Sequence, residues 1–263
     1  MNRRPPRGLG EVALAAARAG AAAVTEVLAL GLVAARYKGT DGELVTEADE
    51  RAERAIMAAL RAVRPDDALC GEETGEYPGT SGVWWWIDPV DGTTNLVHGW
   101  PDYAVSVGAE WEGRYVAGAI CRPAYQDWIA GDQHGVRTSG GRSGLGTADT
   151  LAHALVGFTP DQHPLRCATS MALVSEVLKA ARDIRRTGSI ACDLRAVATG
   201  ELDAAIITFD PYRMDVAAGA ALVTAAGGVY RQVRTPGGVI VTLAANPVIA
   251  AALTDLFTST RVG

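Results

Sequence analysis

The stretch Trp84–Asn95, WWWIDPVDGTTN, joins an apolar run to two aspartates three residues apart, followed by glycine and threonine. The apolar run predicts a buried strand, and its end in carboxylates and turn-forming residues is typical of a strand that delivers acidic ligands to a site. Pro89 stiffens the segment, and Gly92 permits an unusual turn directly after it. Asp88 and Asp91, held in this way, repel each other unless a cation lies between them. The stretch therefore predicts a metal site at the end of a strand.

The composition is that of an ordinary globular protein, and it narrows the range of functions. At 263 residues, with 48% hydrophobic and 21% charged residues, the chain can bury a large core as one α/β domain or as two packed halves. A net charge of -6 argues against nucleic acid as a partner, because binding its phosphate backbone requires a basic face. The four cysteines include no Cys-x-x-Cys pair, so neither a disulfide framework nor a structural zinc site is predicted, and a cytoplasmic location fits best.

The N-terminal segment combines early arginines with an alanine-rich run, as a signal peptide does. Charges at Glu11, Arg18 and Glu26 interrupt the run and lie near one face of a helix, so an amphipathic first helix is the favoured interpretation. No window reaches about twenty uninterrupted apolar residues, and no membrane span is predicted.

Apolar periodicity predicts a helix and a set of strands along the rest of the first half. The helix runs over about 47–63 and follows a threonine that can cap it. A carboxylate-rich loop, RPDDALCGEETGEYPG, separates this helix from the tryptophan strand. Two strands joined at Glu112 and Gly113, and a third near 127–130, predict an antiparallel sheet.

The glycine-rich segment 138–149, TSGGRSGLGTAD, is the best candidate boundary and divides the chain into halves 1–145 and 146–263. Strands alternate with helices in the second half, which suggests βα units and a more parallel sheet. The predicted strands lie near 154–158, 203–208 and 229–233, and the predicted helices lie near 165–182, 190–199 and 215–226.

The acidic residues and the segment after Gly92 together predict phosphate chemistry. Carboxylates concentrate at Asp49, Glu72, Glu73, Asp88, Asp91 and Asp215. Hard oxygen ligands suit Mg²⁺, and the four histidines lack the spacing of a zinc site. The segment TTNLVHG predicts a short helix whose free N–H groups face the aspartates, which makes a place for an anion beside a metal. Two metal ions there would orient a phosphoryl group, lower the pKa of a bound water and stabilise the leaving oxygen.

Other phosphate-handling mechanisms are excluded by spacing. No cysteine begins a Cys-x5-Arg loop, and no Asp-x-Asp is present for an aspartyl-phosphate mechanism. No GxxxxGK[ST] motif is present for a nucleoside triphosphate. Hydrolysis by a metal-activated water is the mechanism that remains.

Three of these motifs resemble the signatures of a known family. GEET, WIDPVDGTTNLVHGWP and MDVAAGAALVTAAGG match, in order and spacing, those of the inositol monophosphatase family of Mg²⁺-dependent, lithium-sensitive phosphatases. KGTDGELVTEAD and RRTGSIACDLRAVATGELDA match its less distinctive segments, so the resemblance covers nearly the whole chain. It implies an α/β (α+β) fold, a layered αβαβα sandwich similar to that of fructose-1,6-bisphosphatase, and usually a homodimer.

The resemblance also implies roles for individual residues. The implied ligands of two or three Mg²⁺ ions are Glu72, Asp88, the carbonyl oxygen of Val90, Asp91 and Asp215. Asp49 and Thr93 would position and deprotonate the attacking water, and Lys38 matches a lysine of a mobile loop that approaches the site. Gly92 and Thr93 would donate backbone N–H groups to the phosphate. The implied substrate-facing segment is Gly188, Ser189 and Ile190.

The sequence departs from the family pattern around its last metal aspartate. Family members often carry a glutamate that contacts a substrate hydroxyl at the position of Thr208, and a tryptophan at the position of Met214. The segment TFDPYRMD therefore predicts a different substrate wall, with Asp210, Tyr212 and Arg213 as candidate readers of the leaving group. Loss of a carboxylate acceptor weakens the case for inositol itself, because a site built to bond a hydroxyl discriminates strongly through that contact.

Residues beside these motifs have structural interpretations. The tryptophans of the strand are predicted to be core residues rather than a surface on which substrate stacks. Glu73 is expected to point away from the metal site. Asp193, in a predicted helix after the glycine turn, is predicted either to support the phosphate-side loops or to cap the helix.

Two classes of function remain open. The first is hydrolysis of a small phosphate monoester similar to inositol monophosphate. Its alternatives are histidinol phosphate, fructose 1,6-bisphosphate, a 3′-phosphoadenylate, or an aminocyclitol or aminonucleoside phosphate of specialised metabolism. The second class is an interaction protein of the transcription machinery, which some bacterial members of the resembled family bind. A complete set of carboxylates favours the enzyme, because such a cluster is costly to keep without a metal.

Overall fold

The computed structural model describes residues 4–32, 34–38, 43–163 and 165–260. In the first half, the described helices are α1 (Leu9–Ala29), α2 (Glu47–Val63) and α3 (Thr93–Val97). The strands there are β1 (Arg36–Lys38), β2 (Glu43–Val45), β3 (Ala68–Gly71), β4 (Gly75–Tyr77), β5 (Val83–Asp91), β6 (Ala104–Trp111), β7 (Arg114–Arg122), β8 (Asp127–Asp132) and β9 (Gly135–Thr138). β1 and β2 pair as a small antiparallel sheet, and the other seven form the first large sheet.

The first large sheet has the order β4-β3-β5-β6-β7-β8-β9, and every pair in it is antiparallel except β3 with β5. The predicted turn between β6 and β7 is present. Glu112 and Gly113 both have positive φ, 50° and 74°, as a tight hairpin turn requires. The prediction of a loop around GEET was wrong, because β3 and β4 form a hairpin with Glu72 in its turn. β3 also pairs with the tryptophan strand β5. This pairing stabilises β3, whose apolar run is too short to predict a strand from the sequence.

The tryptophan strand β5 separates two environments by alternation of its side chains. Val83, Trp85 and Ile87 are fully buried and pack in the core that the sheet shares with α1 and α2. Trp84 and Trp86 lie on the opposite face, are half-buried, and stack on each other with ring centroids 5.7 Å apart. The predicted core role therefore applies fully to Trp85.

Helix α1 is, within the described residues, the one helix long and apolar enough by length and composition to cross a membrane. Its apolar face is occupied inside the protein. Leu9, Ala13, Ala17 and Val24 are buried in the core formed with α2 and the first large sheet. Exposed Glu11 forms an ion pair with Arg137 of β9. The predicted amphipathic helix is thus observed.

In the second half, the described helices are α4 (Cys167–Ala180), α5 (Ile190–Ala198), α6 (Arg213–Ala225) and α7 (Pro247–Ser259). The strands are β10 (Leu155–Thr159), β11 (Asp183–Arg185), β12 (Ala204–Ile207), β13 (Val229–Arg234) and β14 (Ile240–Ala245). The chain leaves the first large sheet at Thr138 and enters the second at Leu155, and we propose the predicted division at 145 and 146 as the boundary between the halves.

The second large sheet is mixed rather than mostly parallel. Its order is β11-β10-β12-β14-β13, with β10 parallel to both β11 and β12. β14 lies antiparallel to β12 on one side and to β13 on the other. The predicted alternation of strands and helices did not include β14, because a short turn over 235–239, and not a helix, joins β13 to β14.

The apolar faces of the helices and sheets determine how the layers of the fold pack. α1 and α2 cover the outer face of the first large sheet, whereas α5 and α6 contribute to one core between the two large sheets. α4 and α7 pack on the outer face of the second sheet. The predicted αβαβα sandwich is confirmed, and α6 lies in its middle layer.

Helix α6 docks against the first large sheet through two glycines. Gly108 of β6 and Gly118 of β7 are paired across the sheet. A Cβ at Gly108 would lie 2.4 Å from the backbone nitrogen of Ala218, and one at Gly118 would lie 2.6 Å from its Cα. The helix backbone therefore rests on the sheet itself, which carries Asp215 at the start of α6 to the end of β5.

Candidate active site

A β-bulge orients the two aspartates of the opening motif. Side chains three residues apart on a regular strand point to opposite faces of the sheet. Asp88 pairs with Ser106, whereas Asp91 pairs with Ala104, so β5 contains one extra residue between the two aspartates. Pro89 falls within this bulge, where a missing N–H donor is tolerated. The bulge places Asp88 and Asp91 on the same cavity.

The cavity at the end of β5 has a volume of about 540 Å³. It is lined by the predicted site residues Glu72, Asp88, Val90, Asp91, Gly92, Thr93, Ile190, Tyr212 and Asp215, and by Phe209 and Met214. Five segments of the chain therefore meet there: the β3–β4 turn, the end of β5, and the starts of α3, α5 and α6. Phe209 is a wall residue that the motif analysis did not single out, because a lone phenylalanine carries no functional signal.

The carboxylates of the cavity carry strong mutual repulsion. Asp88 is 4% exposed, and its Oδ1 is buried without a hydrogen-bond partner. Burial raises its pKa well above the usual value, and the negative charges of Glu72, Asp91 and Asp215 raise it further. Within the described part of the chain, no three acidic, histidine or cysteine side chains already converge as metal ligands would. The chemistry of these donors, rather than their present spacing, fits a divalent cation, because a cation would pair the orphaned oxygen and relieve the repulsion.

Asp91 is held by the start of α5. Its Oδ2 accepts hydrogen bonds of 2.5 Å from the Ser189 hydroxyl and from the backbone N–H of Ala191. Ser189 also caps α5, because its Oγ accepts from the N–H of Cys192 at 3.1 Å. Burial raises the pKa of Asp91 to about 6, although these two donors favour the charged form. The second half of the chain thus fixes the orientation of this carboxylate.

Asp49 belongs to a cap that also reaches Thr93. Its Oδ2 accepts from the backbone N–H and hydroxyl of Thr46, at 2.8 and 2.6 Å, which closes the capping box of α2. Thr93 Oγ1 lies 3.1 Å from Asp49 Oδ1 and 3.0 Å from the carbonyl oxygen of Val90, so its hydroxyl can donate to one of them at a time. Burial raises the pKa of Asp49 despite the donors around it.

Glu53 is a buried acid that the motif analysis missed. It is 1% exposed and lies one helical turn after Asp49 on the same face of α2. Its Oε2 and Oε1 accept the backbone N–H groups of Glu73 and Thr74, both at 2.9 Å. A Cβ at Gly71 would lie 2.5 Å from the Glu53 carboxyl carbon. The sequence does contain a signal for this role: a glutamate on the face of α2 that otherwise carries mostly apolar residues.

The loop before α5 joins the two halves of the site. Asn95 Nδ2 donates to the carbonyl oxygens of Asp102 and Thr187, at 2.6 and 2.8 Å. Asp193 accepts from the Thr187 hydroxyl at 2.8 Å, and burial raises its pKa to about 7. Of its two predicted roles, this contact favours support of the loop, because Ser189 and not Asp193 caps α5. Gly188, with φ of 87°, packs its α-carbon beside Asn95 and allows the chain to turn there.

Two of the candidate substrate contacts, Asp210 and Arg213, lie outside the cavity, and the catalytic candidate Lys38 is described only in its backbone. Lys38 ends β1, and its side chain is outside the described part of the structure. Asp210 accepts a 2.8 Å hydrogen bond from Gln232 and lines a neighbouring cavity. Arg213 forms an ion pair with Glu110 and lies over the ring of Trp86, 5.3 Å from its centroid. Neither Asp210 nor Arg213 lines the carboxylate cavity.

Comparison with known sequences points to one family. The sequence matches the profile of the Inositol monophosphatase family over residues 7–262. It is 36% identical over 252 residues to the inositol-1-monophosphatase of Mycobacterium leprae, and the alignment covers 87% of this chain and 83% of that protein. It is also 34% identical over 227 residues to Nus factor SuhB of Pseudomonas aeruginosa, with 83% of each chain covered.

Solved structures agree with these relatives. SuhB of Mycobacterium tuberculosis superposes with a TM-score of 0.80 and 31% identity over 97% of both chains. The extragenic suppressor protein SuhB of Bartonella henselae superposes with a TM-score of 0.85 and 27% identity, over 96% of this chain and 99% of that one. With the profile, the relatives and the fold in agreement over nearly its whole length, this chain belongs to the inositol monophosphatase family, which is a family of metal-dependent phosphatases.

Proposed function

We propose that this protein hydrolyses a small-molecule phosphate monoester in a Mg²⁺-dependent reaction. The observation that carries the proposal is the buried, unpartnered Oδ1 of Asp88 within a cluster of carboxylates. The cluster lines a cavity large enough for a phosphate and a small alcohol. The family to which the chain belongs supports the phosphatase class of reaction.

The carboxylate cluster is the proposed binding site for two or three Mg²⁺ ions. The proposed ligands are Glu72, Asp88, the Val90 carbonyl oxygen, Asp91 and Asp215. Magnesium, when bound, would neutralise these charges, orient the phosphoryl group and lower the pKa of a water molecule. Ser189 and the Ala191 N–H would keep Asp91 in one orientation while it serves as a ligand.

The remaining residues of the cavity have proposed roles toward the water and the phosphate. Thr93 would accept a proton from the attacking water and pass its own hydroxyl proton to Asp49 Oδ1, which lies 3.1 Å from its Oγ1. Burial raises the pKa of Asp49, which makes its carboxylate a stronger proton acceptor than an exposed aspartate. The backbone N–H groups of Gly92 and Thr93 would bind the phosphate, and Lys38 would approach it from the β1–β2 loop. Gly188, Ser189 and Ile190 would face the substrate.

Other proposed properties follow from family membership. We propose a cytoplasmic homodimer that is inhibited by lithium, with no nucleic acid or membrane partner. An inositol monophosphate heads the proposed substrates because relatives are named inositol-1-monophosphatase. Histidinol phosphate, fructose 1,6-bisphosphate, a 3′-phosphoadenylate and aminocyclitol or aminonucleoside phosphates are the alternatives. The departures at Thr208 and Met214 keep these alternatives open.

Metal removal tests the proposed reaction. We expect phosphate release from at least one monophosphate to stop when EDTA removes divalent cations, and to return when Mg²⁺ is added in excess. Addition of Mg²⁺ should also raise the melting temperature, because binding to the folded state alone stabilises it. A panel of sugar, cyclitol, amino-alcohol and nucleoside monophosphates would be assayed in both conditions. Equal turnover with and without metal would contradict the proposal.

The relatives named Nus factor SuhB support a second candidate function, interaction with the transcription machinery. The same panel separates the two functions. If no monoester is hydrolysed in the presence of Mg²⁺, yet the protein binds a component of that machinery tightly, the interaction function would replace the enzymatic one.

A further inference from the structure

Apart from its carboxylate-bearing segments, the cavity has a wall of largely apolar side chains. Ile190, Phe209, Tyr212 and Met214 line it, and the Tyr212 hydroxyl is the single polar side-chain group among these four. Phe209 and Tyr212 also line a second cavity of about 570 Å³. These two aromatic side chains therefore border both cavities.

The polar residues nearest this wall are engaged elsewhere. The Thr208 hydroxyl, at the position where a family glutamate would contact substrate, is buried against Ser170 with the two oxygens 2.5 Å apart. The same oxygen accepts the backbone N–H of Asp161 at 3.0 Å. Asp210 is bonded to Gln232 and Arg213 to Glu110. Thr208, Asp210 and Arg213 thus each have a partner within the protein, and none of them lines the carboxylate cavity.

An apolar wall favours leaving groups that have an apolar surface. Hydroxyl groups of a polyhydroxylated ring would lose water against it without gaining partners, which is unfavourable. A flat aromatic ring would bury apolar area and stack on Phe209. The Tyr212 hydroxyl could then bond a ring nitrogen.

We propose that the leaving group of the natural substrate carries a heteroaromatic ring, as nucleoside and imidazole-bearing amino-alcohol phosphates do. This inference rests on the proposed phosphatase function, and within it places the alternatives that carry a heteroaromatic ring ahead of inositol monophosphate. It predicts that a base attached to the alcohol increases kcat/KM, and that a cyclitol is a poorer leaving group.

A matched pair of substrates tests the proposed class. Adenosine 5′-monophosphate and ribose 5-phosphate differ at the sugar carbon that carries the base, and myo-inositol 1-phosphate serves as the cyclitol. We expect kcat/KM to be about tenfold higher for the adenosine ester than for either of the others, which corresponds to about 1.4 kcal/mol. The Phe209→Leu variant should lose most of this preference, because its KM should rise more for the adenosine ester than for ribose 5-phosphate.

The outcomes separate this inference from the proposed function. If esters are hydrolysed but inositol 1-phosphate or ribose 5-phosphate equals or exceeds the adenosine ester, the inference is wrong and the phosphatase function stands. If Phe209→Leu folds normally and keeps the preference, the wall is not what selects the base, and the inference is also wrong. If no ester releases phosphate with Mg²⁺, both fail.

A second inference concerns Glu53. The turn between β3 and β4 contains Glu72, Glu73 and Thr74 alone, and Glu53 binds two of its three N–H groups. Gly71 leaves the room that the carboxylate fills. We infer that Glu53 is a positioning residue that fixes Glu72 toward the metal site. This inference rests on the proposed Mg²⁺ site. Glu53 would connect Glu72 to Asp49, because Glu53 and Asp49 lie on the same face of α2.

Substitution Glu53→Gln tests this inference. Glutamine keeps the volume but turns an N–H donor toward a backbone N–H, so one bond to the turn is lost. We expect the Mg²⁺ concentration for half-maximal stabilisation against heat to rise about tenfold or more, with a similar rise for half-maximal activity. The kcat at saturating Mg²⁺ should change less.

The results that would contradict this inference can be told apart from a failure of the metal site. A Glu53→Gln protein that melts lower without metal but has native Mg²⁺ requirements would show a purely structural role and overturn the inference. If that variant does not fold, Gly71→Ala, which crowds the carboxylate, must show the same weakened Mg²⁺ response for the inference to survive. If the native protein shows no Mg²⁺ stabilisation, the metal site itself is wrong.

Discussion

Replacement of Asp91 with asparagine is expected to lower Mg²⁺-dependent turnover at least about a thousandfold, because loss of this proposed metal ligand would remove several kcal/mol of charge stabilisation in the transition state. Asparagine keeps the volume and an oxygen that can accept from Ser189 and Ala191. The loss should therefore reflect the missing charge rather than a disturbed loop. Phosphate release by the native and variant proteins, over a range of Mg²⁺ concentrations, measures it.

The same substitution should have the opposite effect on stability without metal. Burial raises the pKa of Asp91 to about 6 in the folded protein, above the ordinary value of an aspartate. The folded state is therefore penalised for ionising Asp91 as the pH rises toward 6, and the penalty stays constant above that pH. Asparagine does not titrate. Without metal, Asp91→Asn should gain stability relative to the native protein as the pH rises from 4 to 6, and should gain little stability from added Mg²⁺.

Asp255→Asn is the matched control for this substitution. Asp255 is exposed on α7, on the outer side of the second large sheet, away from the cavity. Its substitution should leave turnover and the Mg²⁺ response unchanged. Native-like turnover in Asp91→Asn, with the control also native-like, would remove Asp91 from the proposed ligand set.

Replacement of Gly108 with alanine is expected to destabilise the protein by about 3 kcal/mol, as overpacking of a tight contact does. The new Cβ would lie 2.4 Å from the Ala218 backbone nitrogen, so α6 must move away from the sheet. Asp215 lies at the start of that helix, and its distance from Asp88 would change with it. We expect the melting temperature to fall by roughly 6–12 °C, and the folded variant to need more Mg²⁺ for turnover.

Gly140→Ala provides the comparison for Gly108→Ala. Gly140 has no positive φ, and a Cβ there would have open space around it. It lies in the exposed segment after the first large sheet. Alanine at this position should leave stability and activity near native values. A Gly108→Ala protein as stable and active as the Gly140 variant would show that α6 docks less tightly than the contact with Ala218 indicates.

Much of the architecture could be predicted because its signals are local. The apolar run of β5, the helical spacing of α2 and the Glu112–Gly113 turn each depend on residues close together in the chain. The parallel character of the second sheet was overestimated because sequence order does not reveal where a strand inserts. β14 lies between β12 and β13, although it follows both of them.

The predicted substrate wall illustrates the same limit within the site. Asp210 and Arg213 were reasonable readers of a leaving group by their position in the chain. Arg213 instead pairs with Glu110, 103 residues away, and Asp210 with Gln232 across a sheet edge. Polar side chains take whichever partners tertiary packing brings near, and a motif does not reveal those partners.

The sequence by itself determined the local chemistry of this protein: its family, its cluster of carboxylates, and caps such as Thr46 with Asp49, which close within three residues. Only the tertiary structure decided how these parts are held. Ser189 bonds Asp91 across 98 residues, and Glu53 bonds Thr74 across 21. The reason is physical: hydrophobic periodicity and capping are short-range properties of the chain, whereas the partners of buried polar groups are set by which layers pack together.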